Sequence, residues 1–172
     1  HTSLFLTPYG MCAALYILPF ALGLSARVGV PPSQKSLFRI LVTPVGPYFK
    51  GGFKPTNICI MREFDRVAPK GTGRYKCGGN YAASLVAGDK AHKLGYSAVL
   101  YLDPKEKKYL DECGPANFFA IKGNKYITPA SESILPSVTN KSLRQLAKDM
   151  GLTVEERHIP IEELAEVDEA AA

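Results

Sequence analysis

The sequence predicts an α+β fold, a mixed α/β domain in which antiparallel and mixed sheets are flanked by helices. Short runs rich in β-branched and aromatic residues alternate with segments of helical periodicity, and turns containing Gly or Pro separate them. Hydrophobic residues make up 46% of the 172 residues and charged residues 22%, which is typical of a globular chain that buries a core. We therefore expect one large domain, or one domain with part of another.

The first third of the chain is apolar and predicts two strands. Residues 11–24 carry almost no polar side chain, yet this stretch is too short to cross a bilayer and it contains Pro19. We therefore expect no membrane segment, and we interpret residues 16–20 as a buried core strand. Residues 36–42 predict a second strand that stops at Pro44, because proline cannot donate to a β-ladder.

A stretch rich in Gly and Pro predicts a boundary between domains. Residues 44–52 contain three glycines and two prolines, and we interpret them as the region of an inter-domain linker. We expect residues 1–50 to be the C-terminal part of a small domain and residues 51–172 to form a larger one. Both ends of the chain look cut, so we expect a fragment of a longer protein.

The larger domain is expected to combine strands with helices. The first predicted helix covers residues 80–94 and ends at Gly95. The second begins with Thr139 as its N-cap and has apolar residues spaced three or four apart on one face. A short acidic helix is predicted at residues 161–167. The predicted strands are residues 57–61, 98–102, 108–113, 118–122, 125–128 and 153–159.

Charge and cysteine content argue against several classes of function. The net charge is +5, but the lysines are scattered and there is no arginine-rich run, so we expect no nucleic-acid partner. The four cysteines include no CxxC pair and the three histidines form no ligand cluster, so we expect no metal site. A chain of this size does not need disulfides, which favours a reduced, cytoplasmic setting.

The most informative segment is residues 76–81, with the sequence Lys-Cys-Gly-Gly-Asn-Tyr. Two glycines directly after Lys76 allow the backbone to approach a flat ligand, and Asn80 and Tyr81 open a helix. A partly desolvated lysine can lose its proton and attack a carbonyl compound, and pyridoxal phosphate is the commonest ligand held in this way. The alternative is an ordinary solvated lysine before a Gly-Gly turn, and the hexapeptide alone leaves both open.

Two further segments contain groups that suit such a cofactor. Asp111 and Glu112 lie at the end of a predicted strand, where a carboxylate can pair with a pyridinium nitrogen, although an ordinary strand end is the commoner case. Residues 134–139 form a strand-to-helix junction, whose free N–H groups and helix dipole favour a phosphate. A plain capped helix is the alternative there. Tyr81, in the first turn of its helix, can reach the phenolic oxygen of the cofactor.

Taken together and in order, these segments resemble the branched-chain aminotransferases, which are fold-type IV, class IV pyridoxal-phosphate enzymes. The resemblance extends over essentially the whole chain. It is carried by residues 16–19, 44–48 and 71–81, by Glu112 with Asn117, and by residues 135–139. It implies the large domain of fold type IV, with antiparallel and mixed sheets, incomplete at both ends.

The resemblance implies roles for the residues around the cofactor ring. Lys76 would be the catalytic residue that forms the Schiff base with pyridoxal 5′-phosphate and moves a proton. Glu112 would bind the pyridine nitrogen and Tyr81 the phenolic oxygen, while Leu135 would pack on the ring. Arg66 also matches a family arginine, which we interpret as structural.

Contacts with the phosphate and the substrate follow from the same resemblance. The backbone N–H groups of Val138 and Thr139 would hold the phosphate, and Tyr48 would help to line the substrate pocket. Three residues depart from the family's usual ones: Leu18 and Asn140 stand in place of Arg, and Ser137 in place of Gly. Leu18 cannot supply charge, which puts the handling of a substrate carboxylate in question.

The resemblance also implies an activity for the whole protein. It would transfer an amino group between leucine, isoleucine or valine and 2-oxoglutarate by a ping-pong mechanism, as a cytoplasmic homodimer with small-molecule substrates. The fragment itself is expected to be weakly active or inactive, because part of the phosphate site and of the substrate wall is missing. The alternatives are a D-amino-acid aminotransferase, an aminodeoxychorismate lyase, or a non-catalytic relative.

Overall fold

The computed structural model of the chain describes residues 13–47, 52 and 54–172. The chain divides into two compact units, His1–Pro55 and Thr56–Ala172, which are called unit 1 and unit 2 below. Their assignment as parts of a small and a large domain stays a prediction. Among the helices that are described, none is both long and apolar enough to cross a membrane.

Unit 1 contains a two-stranded antiparallel sheet. Strand β1 (Ala14–Gly23) pairs with β2 (Ser36–Val45) along its whole length. Both strands were expected, but the prediction that the second one stops at Pro44 is wrong, because Pro44 lies within β2 opposite Leu15. Each strand of a two-stranded sheet has a free edge, and a residue without an N–H is tolerated on such a strand.

The prediction that β1 is a core strand is wrong. Apolar side chains on both strands are exposed, among them Tyr16, Ile17, Leu18, Phe38, Ile40 and Leu41. A sheet buries side chains only where a second layer packs on it, and the described residues of unit 1 form a single layer. The apolar pattern therefore predicts the strands correctly but not their burial.

The first sheet of unit 2 has the strand order β3-β4-β5. Strand β3 (Ile58–Met61) is parallel to β4 (Ala98–Leu102), and β4 is antiparallel to β5 (Leu110–Cys113). A parallel pair needs a crossover connection, which here contains helix α1 (Gly78–Lys93). Gly95 follows the C-cap of the helix with φ 86°, as the sequence predicts.

Helix α1 packs on this sheet through small side chains. Ala87 and Ala91 are buried in one cluster with residues of β3 and β4. Larger apolar residues of the helix, Leu85 and Val86, are exposed. The helix begins two residues earlier than predicted, at Gly78, so that Lys76 lies just before its N-cap.

The second sheet of unit 2 has the strand order β8-β7-β6-β9. Strands β6 (Phe119–Lys122) and β7 (Lys125–Pro129) form the predicted hairpin, with Gly123 at φ 54° in its turn. Strand β7 is parallel to β8 (Thr153–Arg157), and helix α2 (Val138–Asp149) makes the crossover between them.

The last residues add a strand that the sequence does not predict. A 3₁₀ helix (Ile161–Glu166) stands in place of the predicted acidic α-helix, and β9 (Glu169–Ala171) then pairs antiparallel with β6. Glu and Ala are depleted in strands, so their local sequence does not favour β9. The strand forms because β6 offers an unpaired edge, which is a tertiary effect.

The N-cap of α2 is Ser137. The prediction that Thr139 caps this helix is wrong. The Ser137 Oγ accepts the N–H of Asn140 at 3.1 Å. Ser137 has the extended backbone that an N-cap requires, with φ −82° and ψ 135°, whereas Thr139 is already helical. The helix therefore starts two residues earlier than a cap at Thr139 would allow, and both Val138 and Thr139 belong to its first turn.

One hydrophobic core joins the two sheets of unit 2. Its buried members are Leu100, Leu102, Leu110, Cys113, Phe118, Ala120, Ile127 and Ile159. Burial raises the pKa of the Cys113 thiol to about 12, so this side chain stays protonated and behaves as a small apolar group. Because the core contacts β5, β6 and β7, it fixes the end of β5 relative to the loop that follows β7.

Candidate active site

A cavity of about 600 Å³ lies in unit 2. Six of the seven predicted site residues line it: Lys76, Tyr81, Glu112, Leu135, Val138 and Thr139. They come from the start of α1, from β5, from the loop after β7 and from the start of α2. Ala172, which follows β9, also lines the cavity. The seventh predicted residue, Tyr48, lies outside the described residues.

Lys76 and Tyr81 contact each other on one wall of the cavity. The Lys76 Nζ donates a hydrogen bond of 2.5 Å to the Tyr81 hydroxyl oxygen and lies 4.6 Å from the centroid of its ring. Lys76 is exposed, so the partial desolvation that was expected of it is absent. The amine is open to a ligand that enters the cavity, and the contact with Tyr81 restricts its position.

Asn80 holds the segment before Lys76 in place. Its Nδ2 donates to the carbonyl oxygens of Thr72 at 2.8 Å and Tyr75 at 2.9 Å, and its Oδ1 accepts the Thr72 hydroxyl at 2.6 Å. The side chain is buried, and a buried amide with all of these partners specifies one loop conformation. The sequence does not predict this role, although Asn80 lies within its most informative segment.

Glu112 is buried, and three donors surround its carboxyl group. Its Oε1 lies 2.7 Å from the Arg66 Nη2 and accepts the N–H of Leu135 at 3.2 Å, while its Oε2 accepts the Asn117 Nδ2 at 2.8 Å. Burial raises the pKa of Glu112 to about 7, and the Arg66 guanidinium offsets part of that rise. Near neutral pH both protonation forms of Glu112 are therefore accessible.

Arg66 connects Glu112 to two loops. Its Nη2 also donates to the carbonyl oxygen of Gly73 at 3.2 Å and to that of Ser133. The ion pair is buried, with the two side chains only 7% and 5% exposed, so removing either partner leaves a buried charge alone. The sequence suggests a structural role for Arg66. The structure adds that this arginine lines the cavity and contacts a candidate site residue.

Gly73 lies in a close contact between the same two loops. A Cβ at this position would lie 2.0 Å from the Ser133 carbonyl oxygen and 2.9 Å from the Arg66 Nη2. No side chain fits there without a backbone shift. The contact packs the loop that leads to Lys76 directly on the loop that leads to Leu135.

Val138 and Thr139 form the cavity wall at the first turn of α2. Their N–H groups lie in the first turn, where no carbonyl oxygen of the same helix can accept them. Within residues 54–172 they have no hydrogen-bond partner. The next N–H, that of Asn140, is already bonded to Ser137. Two free N–H groups at the positive end of a helix suit an anionic group such as a phosphate.

Comparison with known proteins decides the family. The family model described as amino-transferase class IV matches residues 25–172. The chain belongs to this family. It is 50% identical over 170 residues to the branched-chain-amino-acid aminotransferase of Helicobacter pylori, an alignment that covers 97% of this chain and 50% of the relative. The chain therefore spans about half the length of the curated relatives that it matches.

Solved structures agree with this class IV aminotransferase assignment. The branched-chain amino acid aminotransferase of Escherichia coli is similar with a TM-score of 0.80 at 29% identity, over 91% of this chain and 52% of that one. The pyridoxal-phosphate form of the branched-chain amino acid aminotransferase from Thermobaculum terrenum gives a TM-score of 0.70 at 28% identity, over 91% and 51%. The resemblance and the fold class stated from the sequence are thereby confirmed.

The structure separates the two carboxyl groups within β5 of this aminotransferase chain. Successive side chains of a strand point to opposite faces, and only Glu112 lines the cavity, whereas Asp111 does not. Asp111 is buried, its Oδ1 has no hydrogen-bond partner in the described part of the chain, and burial raises its pKa to about 6. Glu112 is therefore the carboxyl group that a ligand in the cavity can reach.

The departures from the usual family residues lie in different places. Leu18 is on β1 in unit 1, and its effect on a substrate stays a prediction. Ser137 and Asn140 both line the cavity and take part in the first turn of α2, where they bond each other. The side chain of Asn140 also bonds Tyr126 and Thr128. These two residues thus have defined structural partners in this chain.

Disulfides and metal-binding clusters are absent from the part of the chain that the structure describes. Cys59, Cys77 and Cys113 are all free thiols. No group of three or more His, Cys, Asp or Glu side chains within the described ranges is arranged to hold a metal ion.

Proposed function

We propose that this chain is the cofactor-binding part of a branched-chain amino acid aminotransferase and that its cofactor is pyridoxal 5′-phosphate. The observation that carries the proposal is the cavity at which Lys76, Glu112 and the start of α2 meet. An amine, a buried carboxyl group and two free N–H groups match the aldehyde, the pyridine nitrogen and the phosphate of one molecule. The residues present therefore fit this cofactor.

Lys76 would hold the cofactor covalently through its Nζ and would move the proton of the reaction. When bound, pyridoxal phosphate supplies an electron-withdrawing ring that makes the hydrogen on the α-carbon of an amino acid acidic. Once the amino acid has replaced it on the cofactor, the freed Lys76 Nζ would accept that proton and return it to a neighbouring carbon. Tyr81, whose hydroxyl lies 2.5 Å from this nitrogen, would keep the amine on the cavity wall and bind the phenolic oxygen.

Glu112 would pair with the pyridine nitrogen. Its two oxygens accept three hydrogen bonds, and a carboxylate has about four acceptor positions, so one remains for a ligand. A positively charged nitrogen beside the carboxyl group favours its ionised form. We therefore expect cofactor binding to lower the pKa of Glu112 from about 7.

The remaining contacts would orient the ring and the phosphate. Leu135, in the loop that also bonds Glu112 and Asn117, would pack on the ring. The free N–H groups of Val138 and Thr139 would bind the phosphate. Tyr48 is proposed to line the substrate pocket on the resemblance alone.

Branched-chain amino acids and 2-oxoglutarate are the proposed substrates of the whole protein. Two further solved branched-chain amino acid aminotransferases of similar fold are complexed with 4-methylvaleric acid and with N-(5′-phosphopyridoxyl)-L-glutamate, an aliphatic acid and a glutamate adduct. Because this chain spans about half of its curated relatives, turnover, the homodimer and the cytoplasmic location are proposed for the complete enzyme.

Borohydride reduction tests the cofactor site. Pyridoxal 5′-phosphate is added to the purified chain, the visible band of the bound cofactor is recorded, and the reduced protein is digested and its peptides are mapped. We expect the label on Lys76, its loss in Lys76→Ala, and its retention in Lys93→Ala, which changes a lysine at the other end of α1. A folded protein without label, or with label spread evenly over its lysines, would contradict the proposal.

The substrate assignment needs the complete enzyme. Transamination of leucine, isoleucine and valine with 2-oxoglutarate should exceed that of D-alanine by a wide margin. Preference for D-alanine would identify a D-amino-acid aminotransferase instead. Cofactor binding without any amino transfer would indicate a non-catalytic relative.

A further inference from the structure

A chain of hydrogen bonds links the second sheet of unit 2 to the first turn of α2. The Tyr126 hydroxyl donates to the Asn140 Oδ1 at 2.8 Å, and the Asn140 Nδ2 donates to the Thr128 Oγ1 at 3.1 Å. The Thr128 hydroxyl in turn donates to the carbonyl oxygen of Phe118 at 2.9 Å. Tyr126 and Thr128 are alternate residues of β7, only 3% and 1% exposed, and therefore share one face of the strand.

The direction of each hydrogen bond in this chain follows from chemistry. A carbonyl oxygen can only accept, so the Thr128 hydroxyl donates to Phe118 and accepts from Asn140. The amide nitrogen of Asn140 therefore faces Thr128, its oxygen faces Tyr126, and Tyr126 must be a donor. Burial raises the pKa of Tyr126 to about 12, so the phenol keeps its proton in ordinary buffers.

Asn140 is held by its backbone as well as by its side chain. Its N–H is bonded to the Ser137 Oγ at 3.1 Å, while its side chain reaches the two residues of β7. Val138 and Thr139, which carry the two free N–H groups, lie between Ser137 and Asn140 in the chain. The C-terminal end of the turn that presents these groups is thus attached to a buried strand.

We propose that Tyr126, Thr128 and Asn140 are positioning residues for the phosphate end of the cofactor, an inference that rests on the proposed function. None of the three would supply the N–H groups that bind the phosphate. They fix the orientation of the first turn of α2, and with it the direction of the Val138 and Thr139 N–H groups. Loss of the chain of hydrogen bonds should therefore weaken binding of the phosphate and leave the contacts of the ring and of Lys76 unchanged.

Two ligands that differ only in the phosphate test this role. The cofactor-free chain and its variants Tyr126→Phe and Thr128→Val are titrated with pyridoxal 5′-phosphate and with pyridoxal, and binding is followed by absorbance. Each variant removes one hydroxyl group and leaves a partner unsatisfied, so we expect about 5- to 30-fold weaker binding of pyridoxal 5′-phosphate. Binding of pyridoxal should change by less than about twofold, since an unaltered contact leaves the affinity unaltered.

Tyr109→Phe is the matched control, because the Tyr109 ring packs at a tilt against His158 and lies outside this chain of hydrogen bonds. It should bind both ligands as the wild type does. Equal weakening of both ligands in Tyr126→Phe and Thr128→Val, or no weakening of either, would overturn the positioning role. If Lys76 is labelled in the wild type while the ratio of the affinities for pyridoxal 5′-phosphate and pyridoxal is the same in all variants, only this inference fails. Absence of label on Lys76 would overturn the proposed function and this inference together.

Discussion

Unit 1 and unit 2 contain similar apolar strands with opposite outcomes. Strands β1 and β2 have ten residues each and pair over their full length, whereas the strands of unit 2 have three to five residues. The long strands leave large apolar side chains exposed, and the short strands enclose a buried core. Length and regularity of pairing therefore do not determine burial. A second layer does.

The same difference in layering explains why the carboxyl groups with shifted pKa values lie in unit 2. A carboxyl group changes its pKa when it is removed from water, and Glu112 and Asp111 are removed from water by the layers of unit 2. Residues 13–47 contain no Asp or Glu at all. Substitutions matched between the two units should therefore have unequal effects on stability. Stability is measured as the free energy of unfolding, and hydrogen exchange of peptides gives it for each unit separately.

The largest difference should come from the buried arginine. Arg66→Met removes one partner of a buried ion pair and the donor to two backbone carbonyl oxygens, so we expect a loss of about 3–5 kcal/mol. Arg39→Met, at an exposed position of β2, should change the unfolding free energy by less than about 0.5 kcal/mol. Breaking a buried ion pair should cost more than about 1 kcal/mol. A smaller loss for Arg66→Met would therefore show that the pair contributes little.

The second largest difference in stability between the two units should come from truncating a leucine side chain. Leu102 is 1% exposed in the core of unit 2, and Leu102→Ala should lower the unfolding free energy by about 2–5 kcal/mol. Leu41 on β2 is 54% exposed, and Leu41→Ala should lower it by less than about 1 kcal/mol. A similar loss for both variants would mean that β2 is buried in the protein in solution. Thermal or urea unfolding of the two variants side by side gives the answer.

A methyl group added to glycine should have a smaller effect. Gly73→Ala places a Cβ 2.0 Å from the Ser133 carbonyl oxygen, so the two loops must separate at a cost of about 1–3 kcal/mol. It should also weaken labelling of Lys76, because the displaced loop leads to that residue. Gly46→Ala in unit 1 meets no atom within 4 Å and serves as the control. Unchanged stability and labelling of Gly73→Ala would show that the contact is absent in solution.

The pH dependence of stability should come from unit 2 and be the smallest of these effects. The pKa of Glu112 in the folded protein is about 7, above its usual value, so its protonated form stabilises the fold. That contribution is complete at low pH and is lost as the pH rises through about 7, with about 1–2 kcal/mol of the loss falling between pH 6 and pH 8. Unfolding curves between pH 6 and pH 8, above the pKa of about 6 of Asp111, should show the decline, and Glu112→Gln should flatten most of it. An unchanged slope in this variant would assign the decline to other groups.

Local pattern predicted most of the elements but not all of their boundaries. The strand at 98–102 and the β6–β7 hairpin follow from short apolar runs and a Gly turn, which are properties of neighbouring residues. Boundaries shifted where two residues competed for one role. Ser137 caps α2 because its backbone is extended, although Thr139 offers the same kind of hydroxyl.

Features that depend on distant contacts could not be predicted in this way. The exposure of β1 depends on the absence of a second layer among the described residues of unit 1, and β9 forms because β6 has a free edge. The six cavity residues were predicted from the resemblance to the aminotransferase family, whose motifs are each contiguous in the sequence. The pairing of Arg66 with Glu112 joins residues that are far apart in the chain, and no local pattern indicates it.

The position of β9 affects how the protein should be handled. Ala172 follows this strand directly and lines the cavity, so an affinity tag fused after it would emerge at the cavity wall. A polyhistidine tag in that place would bring imidazole groups next to Lys76 and Glu112, where they would compete with ligands and disturb the titration of Glu112. Binding constants measured with such a protein would partly describe the tag. An N-terminal tag, removed before the titrations, avoids this error.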